Sequence, residues 1–208
     1  FTGVQNLTGG SANDSFTING GTLSGTAVGG AGTDTLIGGN DYVVTGANSG
    51  TVTGITGGWS QIENLTGTAG ADTFNVTGGT LSGLINGSGG GDSATFAGQT
   101  VTLNGTNTGI SNVENVNLGG GTLVGSAGTT AWNLNAASSG TANDGTTAIT
   151  FTNTPTVRGG TGTDTFTANG AYNGTVNLTD LDNTWNYTPG ATLTNGAYRL
   201  RITDNSRH

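Results

Sequence analysis

The sequence predicts an all-β chain wound as a right-handed parallel β-helix, a β-solenoid of about ten coils of 19–20 residues. Three observations predict it. The apolar content is too thin for a compact globule, motifs return at fixed spacing, and apolar residues alternate with polar ones between glycine corners. Glycine supplies 42 of the 208 residues and threonine as many, while hydrophobic residues make up 31% and charged residues 8%. A globule of this length carries more Leu, Ile and Val and about three times that charge. Disordered chains are also poor in apolar residues, but they are rich in charge and proline, and this chain has two prolines. A repeat protein needs little apolar material, because each coil covers the thin core of its neighbour.

The repeats come first along the chain. Val4-Gln5-Asn6-Leu7-Thr8-Gly9 returns as Ile62-Glu63-Asn64-Leu65-Thr66-Gly67, and more loosely as Val113-Glu114-Asn115-Val116. Gly20-Gly21-Thr22-Leu23-Ser24-Gly25 returns at the same offset as Gly78-Gly79-Thr80-Leu81-Ser82-Gly83, and again as Gly120-Gly121-Thr122-Leu123-Val124-Gly125. A shorter period lies inside the long one. The steps from Asp14 to Asp34, from Asp72 to Asp92 and from Asp144 to Asp164 are equal, and each is close to a third of the step from Val4 to Ile62. The long unit therefore reads as three coils. Between the corners, Phe16-Thr17-Ile18, Phe74-Asn75-Val76, Val101-Thr102-Leu103 and Val176-Asn177-Leu178 alternate as half-buried strands do. Doubled glycines suit corners that need positive φ. Asn6, Asn64 and Asn115 hold one repeat position and are expected to satisfy backbone groups inside a corner or to stand exposed at a turn.

The ends read differently. Residues 1–190 carry the repeats, and 191–208 read as a C-terminal cap. Within the cap, Tyr198, Leu200 and Ile202 alternate with Arg199, Arg201 and Thr203, as in an amphipathic strand covering the last coil. With no initial Met and no visible signal peptide, the sequence reads as a processed chain or an excised piece. Phe1-Thr2-Gly3-Val4 matches Trp59-Ser60-Gln61-Ile62, so the chain opens in mid-repeat, and either more solenoid is expected to precede it or another subunit's end to cover that edge.

Charge narrows the function. The net charge is −8, and residues 1–157 hold eight acids and no base. Such a chain has no electrostatic footprint for nucleic acid or for an anionic membrane, and no stretch has the length of a spanning helix. With no Cys, no Lys and one His, at the chain end (His208), pairs of nucleophile and base are nearly absent. Asp180 and Asp182 would share one face of a strand, as glycoside chemistry uses, but no third acid or base accompanies them. Trp59, Trp132, Trp185 and Tyr42 read as plugs of wide corners, with stacking on sugars as the alternative.

The stretch 62–92, from Ile62-Glu63-Asn64-Leu65-Thr66-Gly67 to Gly90-Gly91-Asp92, resembles the repeats of very large secreted bacterial adhesins of the filamentous-haemagglutinin and calcium β-roll type. The resemblance covers most of residues 1–190. It implies a non-enzymatic, extracellular or bacterial cell-surface solenoid that serves as adhesin, stalk or fibre. Its partners would be itself, stacked head to tail, or flanking repeats of a longer chain, with surface carbohydrate as a further candidate.

The β-roll pattern also raises calcium. Its nonapeptide, G-G-x-G-x-D-x-U-x, is matched at every place by 29–37 and 159–167, and partly by 9–17, 67–75 and 87–95. The units 20–28 and 78–86 have Gly where Asp belongs, so one side of the rod is expected to lack the ligands. The other side offers the pairs Asp14/Asp34, Asp72/Asp92 and Asp144/Asp164 as candidate Ca²⁺ ligands. Calcium takes six to eight hard oxygens. The competing reading is that Asp is a turn residue bonding local backbone. No cofactor is required under it. Ice binding is a second alternative, suggested by T-x-T settings such as Thr100-Val101-Thr102, although these do not recur at one register on every coil. A polysaccharide-binding or polysaccharide-degrading β-helix is the third.

Overall fold

A computed structural model describes residues 4–105, 107–178 and 183–187. The expected cap at 191–208, Asp180, Asp182 and His208 lie outside the described residues. The described residues are all-β, with no helix, and form two long sheets of 13 and nine strands. Successive strands pass from one sheet to the other. Leu7–Thr8 lies in the larger sheet, Ser15–Thr17 in the smaller, Ala27–Val28 in the larger again, and Thr35–Ile37 in the smaller. Most pairings are parallel, as a coiling chain requires.

The register explains why so few apolar residues suffice. In the nine-stranded sheet Phe16 stands beside Leu36, Leu36 beside Leu65, Leu65 beside Ile85, and Ile85 beside Ile110. In the larger sheet Tyr42, Phe74, Ala94, Val116 and Phe151 form a second ladder. All of these except Phe16 are at most 3% exposed. Each strand thus contributes one or two side chains to a continuous core between the sheets, and a one-residue slip would turn them all outward.

Three segments depart from the coil path: Thr100–Leu103 and Gly109–Ser111, consecutive strands, pair in parallel within the nine-stranded sheet, and two others form meanders. Residues 41–60 had the spacing of a third coil. Instead, the strands Asp41–Gly46, Ser49–Val52 and Ile55–Ser60 form an antiparallel meander within the larger sheet. The strands Ala131–Ala136, Ser139–Asn143 and Ala148–Thr152 do the same. The two meanders share their details. Their first turns place Asn48 at φ 45° and Ser138 at φ 52°. Each middle strand sets a glycine opposite an aromatic ring, Gly50 against Trp59 and Gly140 against Phe151. A methyl at either position would press into the ring, at 2.9 Å from Trp59 Cζ2 or 2.8 Å from Phe151 Cζ. Small beside large is how such layers fill space without voids.

The meanders change which residues share a sheet. The strand after Asp14 and the strand after Asp34 lie in the nine-stranded sheet, whereas those after Asp72, Asp92 and Asp164 lie in the 13-stranded sheet. The expectation that the aspartate pairs share one side of the rod is therefore corrected. The meander uses about a coil's length of chain for a single pass, so the corner at Asp72, one long repeat after Asp14, opens onto the other sheet.

Candidate functional site

The aspartate corners are the densest chemistry among the described residues, and glycine makes them. At five corners the residue five places before the aspartate is Gly: Gly9, Gly29, Gly67, Gly87 and Gly159. A Cβ at any of these would fall on Oδ2 of Asp14, Asp34, Asp72, Asp92 or Asp164 respectively. The first glycine of the nonapeptide is thus the space into which the carboxylate folds back. Asp34, Asp92 and Asp164 are 0% exposed and Asp72 1%, while Asp14 is partly exposed.

The carboxylates of Asp34, Asp92 and Asp164 each bond the backbone one coil away, whereas that of Asp72 bonds only Thr68 in its own turn. The Asp14 N–H donates to Asp34 Oδ1 at 2.7 Å, and the Asp34 N–H to Glu63 Oε2 at 2.8 Å. The Asp72 N–H donates to Asp92 Oδ1 at 2.8 Å, and the Asp92 N–H to Glu114 Oε2 at 2.6 Å. The Thr130 N–H donates to Asp164 Oδ1, and the Asp164 N–H to Asn183 Oδ1, both at 2.8 Å. The second oxygens cap their own turns, with Gly10, Thr68 and Gly160 N–H donating to Asp14, Asp72 and Asp164 Oδ2. All but the bond to Asn183, a neutral amide, have a carboxylate acceptor, and all satisfy otherwise orphaned donors at the corners.

Three such ladders run along the axis, and sequence reasoning found only their aspartates. Glu63, Glu114, Thr130 and Asn183 are the residues it missed. Thr130 was legible in principle. Gly125-Ser126-Ala127-Gly128-Thr129-Thr130 is the same corner with a hydroxyl in place of the carboxylate, and the Ser126 N–H donates to Thr130 Oγ1 at 3.2 Å. The asparagines of the long repeat divide. Asn6 Oδ1 accepts from Thr26 N–H and Asn64 Oδ1 from Leu84 N–H, each one coil on, whereas Asn115 is a donor, from Nδ2 to Asp92 O at 3.5 Å; Asn6 and Asn115 are exposed and Asn64 is half-buried.

The third aspartate pair is not brought together. Asp144 sits in the turn between Ser139–Asn143 and Ala148–Thr152, where its Oδ1 accepts from the Thr146 and Thr147 N–H groups. Its Oδ2 accepts from Asn104 Nδ2. The corner below Asp164 belongs to Thr130 instead. The coil-like spacing of Asp144 and Asp164 was therefore a coincidence of a hairpin turn with a coil corner.

The calcium expectation rests on these corners. Among the described residues, no three Asp, Glu, His or Cys side chains gather around one point. In the two aspartate pairs, Asp34 Oδ2 and Asp92 Oδ2 are the buried oxygens without a hydrogen-bond partner. Calcium takes six to eight oxygens, so an ion held here would draw on backbone carbonyls of the corners besides these two.

The unpartnered oxygen of Asp92 has an electrostatic consequence. Burial pushes its carboxyl above the ordinary carboxylate range; the Asp72 N–H offsets part of this, and the charges of Asp72 and Glu114 add to the rise. A carboxyl whose folded pKa lies above its unfolded value, about 3.9, stabilises the fold fully below that value. The contribution is lost as pH rises through the folded pKa. Asp92→Asn keeps an acceptor at Oδ1 and removes the charge. It is expected to melt higher than the native chain at pH 7 and to show less loss of melting temperature between pH 4 and 7. A variant that melts lower at pH 7 with the native pH dependence would contradict the assignment.

Three of the four aromatic candidates are core residues, as the corner-plug reading expects; the Trp185 side chain lies outside the described residues. Tyr42, Trp59 and Trp132 are 0–3% exposed, which leaves them no face for the alternative of stacking on sugars. Tyr42 stacks on Phe74 at 5.1 Å, and its hydroxyl donates to Thr66 O at 2.8 Å. The threonines do form one regular column, with Thr100, Thr122, Thr156 and Thr175 side by side across the nine-stranded sheet. The column two residues on reads Thr102, Val124, Arg158 and Asn177, so no two-wide threonine rank exists there.

No family model, curated protein or solved structure matches this chain.

Proposed function

We propose that the chain is part of an extracellular, non-enzymatic β-solenoid of a bacterial surface, acting as an adhesin repeat, stalk or fibre. In this reading it winds right-handed as a parallel β-helix, coil upon coil between the meanders. The observation that supports it most is the pair of parallel ladders. Each strand rests on the one before, side chains of like kind stack on one another, and the buried aspartates tie each corner to the next. Such a body grows by repetition and resists bending without a compact core. Its buried acids hold backbone rather than face a common cleft, which favours a structural role over catalysis.

Head-to-tail contact with another copy, or with flanking repeats, completes the proposal, since contacts that do not close on themselves propagate into fibres. No cofactor is needed. Electron micrographs of concentrated protein should show thin rods several chain-lengths long. Particles that stay one chain long at every concentration would remove self-stacking and leave a repeat that acts only within its own chain.

A further inference from the structure

The outer face of the nine-stranded sheet carries a groove of about 530 Å³ beside the strands Thr100–Leu103, Thr122–Val124 and Thr156–Arg158. The parallel register sets Thr102, Val124 and Arg158 in one column. Their neighbours Val101, Leu123 and Val157 are 0% exposed and fill the core, so this column faces outward. Val124 is nevertheless only 6% exposed, as the floor of a recess is. The walls are small or hydroxylic, including Gly105, Gly125, Gly160 and Thr161.

Arg158 stands exposed in this lining and is the one basic residue among the described residues. An arginine in so acidic a chain is expected beside a carboxylate. This one has Val124 and Asn177 as its cross-strand partners, both uncharged. Its guanidinium is therefore a planar fork of donors at the rim of a recess, without a charged neighbour in its own column.

We propose that this groove binds a saccharide bearing a single carboxylate. Arg158 would hold the carboxylate through two parallel N–H bonds, the geometry in which guanidinium and carboxylate match. Val124 offers an aliphatic floor to the C–H face of the ring, and the Thr102 and Thr161 hydroxyls reach the sugar hydroxyls. A groove of this volume suits a ligand of two or three sugar units rather than a bare anion, since organic ligand sites run to about 300–1,000 Å³. A polyanion is disfavoured, because one cation sits in a chain of net charge −8 and every further carboxylate is repelled within about 10 Å at 0.1 M salt. The site stands whether the chain serves as stalk, fibre or something else.

Calorimetric titration of the full chain tests this, using a glucuronate-terminated trisaccharide and its neutral glucose-terminated counterpart at 0.1 M salt. The acidic sugar should bind saturably, and the neutral one at least about tenfold more weakly, as loss of a charge-assisted pair implies. Arg158→Gln should reduce binding of the acidic sugar to the neutral level with an unchanged melting curve. Arg158→Lys keeps the charge but not the fork and should fall between; it carries the comparison if the glutamine variant melts early. Equal affinity for the two sugars, no saturable binding, or native affinity in Arg158→Gln would each overturn the proposal.

Discussion

Trp132→Ala is expected to cost the chain about 3–5 kcal/mol of stability, the range for truncating a buried tryptophan. Trp132 is 1% exposed. It stacks on Phe166 at 5.5 Å with the planes 5° apart, and meets the edge of Phe151 at 6.1 Å. It also belongs to the first strand of the second meander, where it faces Ala142 on one side and Phe166 on the other. Small neighbours cannot close the space it would leave. The indole Nε1 is buried and makes no hydrogen bond, so nothing polar depends on it. Trp132→Phe keeps most of the ring contact and removes that orphan donor, and should cost less than about 1.5 kcal/mol. Urea unfolding of the two variants separates the cases. Equal losses would mean that ring packing is not what Trp132 contributes.

Gly87→Ala should be among the most damaging of the glycine substitutions at the aspartate corners, with Gly29→Ala its equal. The added methyl would fall on both Asn112 O and Asp92 Oδ2. One contact is backbone from the next coil and the other a fully buried carboxylate, so neither gives way without breaking a ladder bond. Overpacking of this kind costs about 1–3 kcal/mol and sometimes more. The control lies two residues away. Gly89 has nothing within 4 Å of the corresponding position, so Gly89→Ala should leave stability unchanged or raise it by about 0.4–1 kcal/mol through the unfolded chain. Thermal melts of the two alanine variants test the contrast. Similar curves would show that the corner glycine is there for some reason other than the folded-back carboxylate.

Much of this architecture was legible because its determinants are local. Alternation at Phe74-Asn75-Val76 marks a strand whichever sheet it joins, and glycine five residues before aspartate marks a corner whichever face it lies on. The meanders were missed for the opposite reason. Residues 41–60 have a coil's length and a coil's composition, and what separates the two outcomes is which earlier strand they pair with. Asp144 shows the cost of trusting spacing alone. Asp144-Gly145 is a strong short hairpin signal, and it was outweighed by the coincidence that Asp164 follows at the interval of one coil. Glu63 and Glu114 were hidden because nothing in their immediate sequence says that they lie above an aspartate from a distant part of the chain.

The meanders also bear on how the molecule would behave when pulled along its axis. Neighbouring coils of a repeat protein touch only each other, so tension can in principle peel them away one at a time. Between the strands Ala27–Val28 and Thr73–Val76, however, three antiparallel strands of one continuous segment are inserted. The turn at Asn48 is further fastened to Ser82, whose N–H donates to its side chain at 2.9 Å. A second insert of the same design lies between Asn115–Asn117 and Thr165–Ala168. Peeling that reaches either insert meets a block whose strands must shear together, so extension should advance in few large steps, with the two inserts as the brakes.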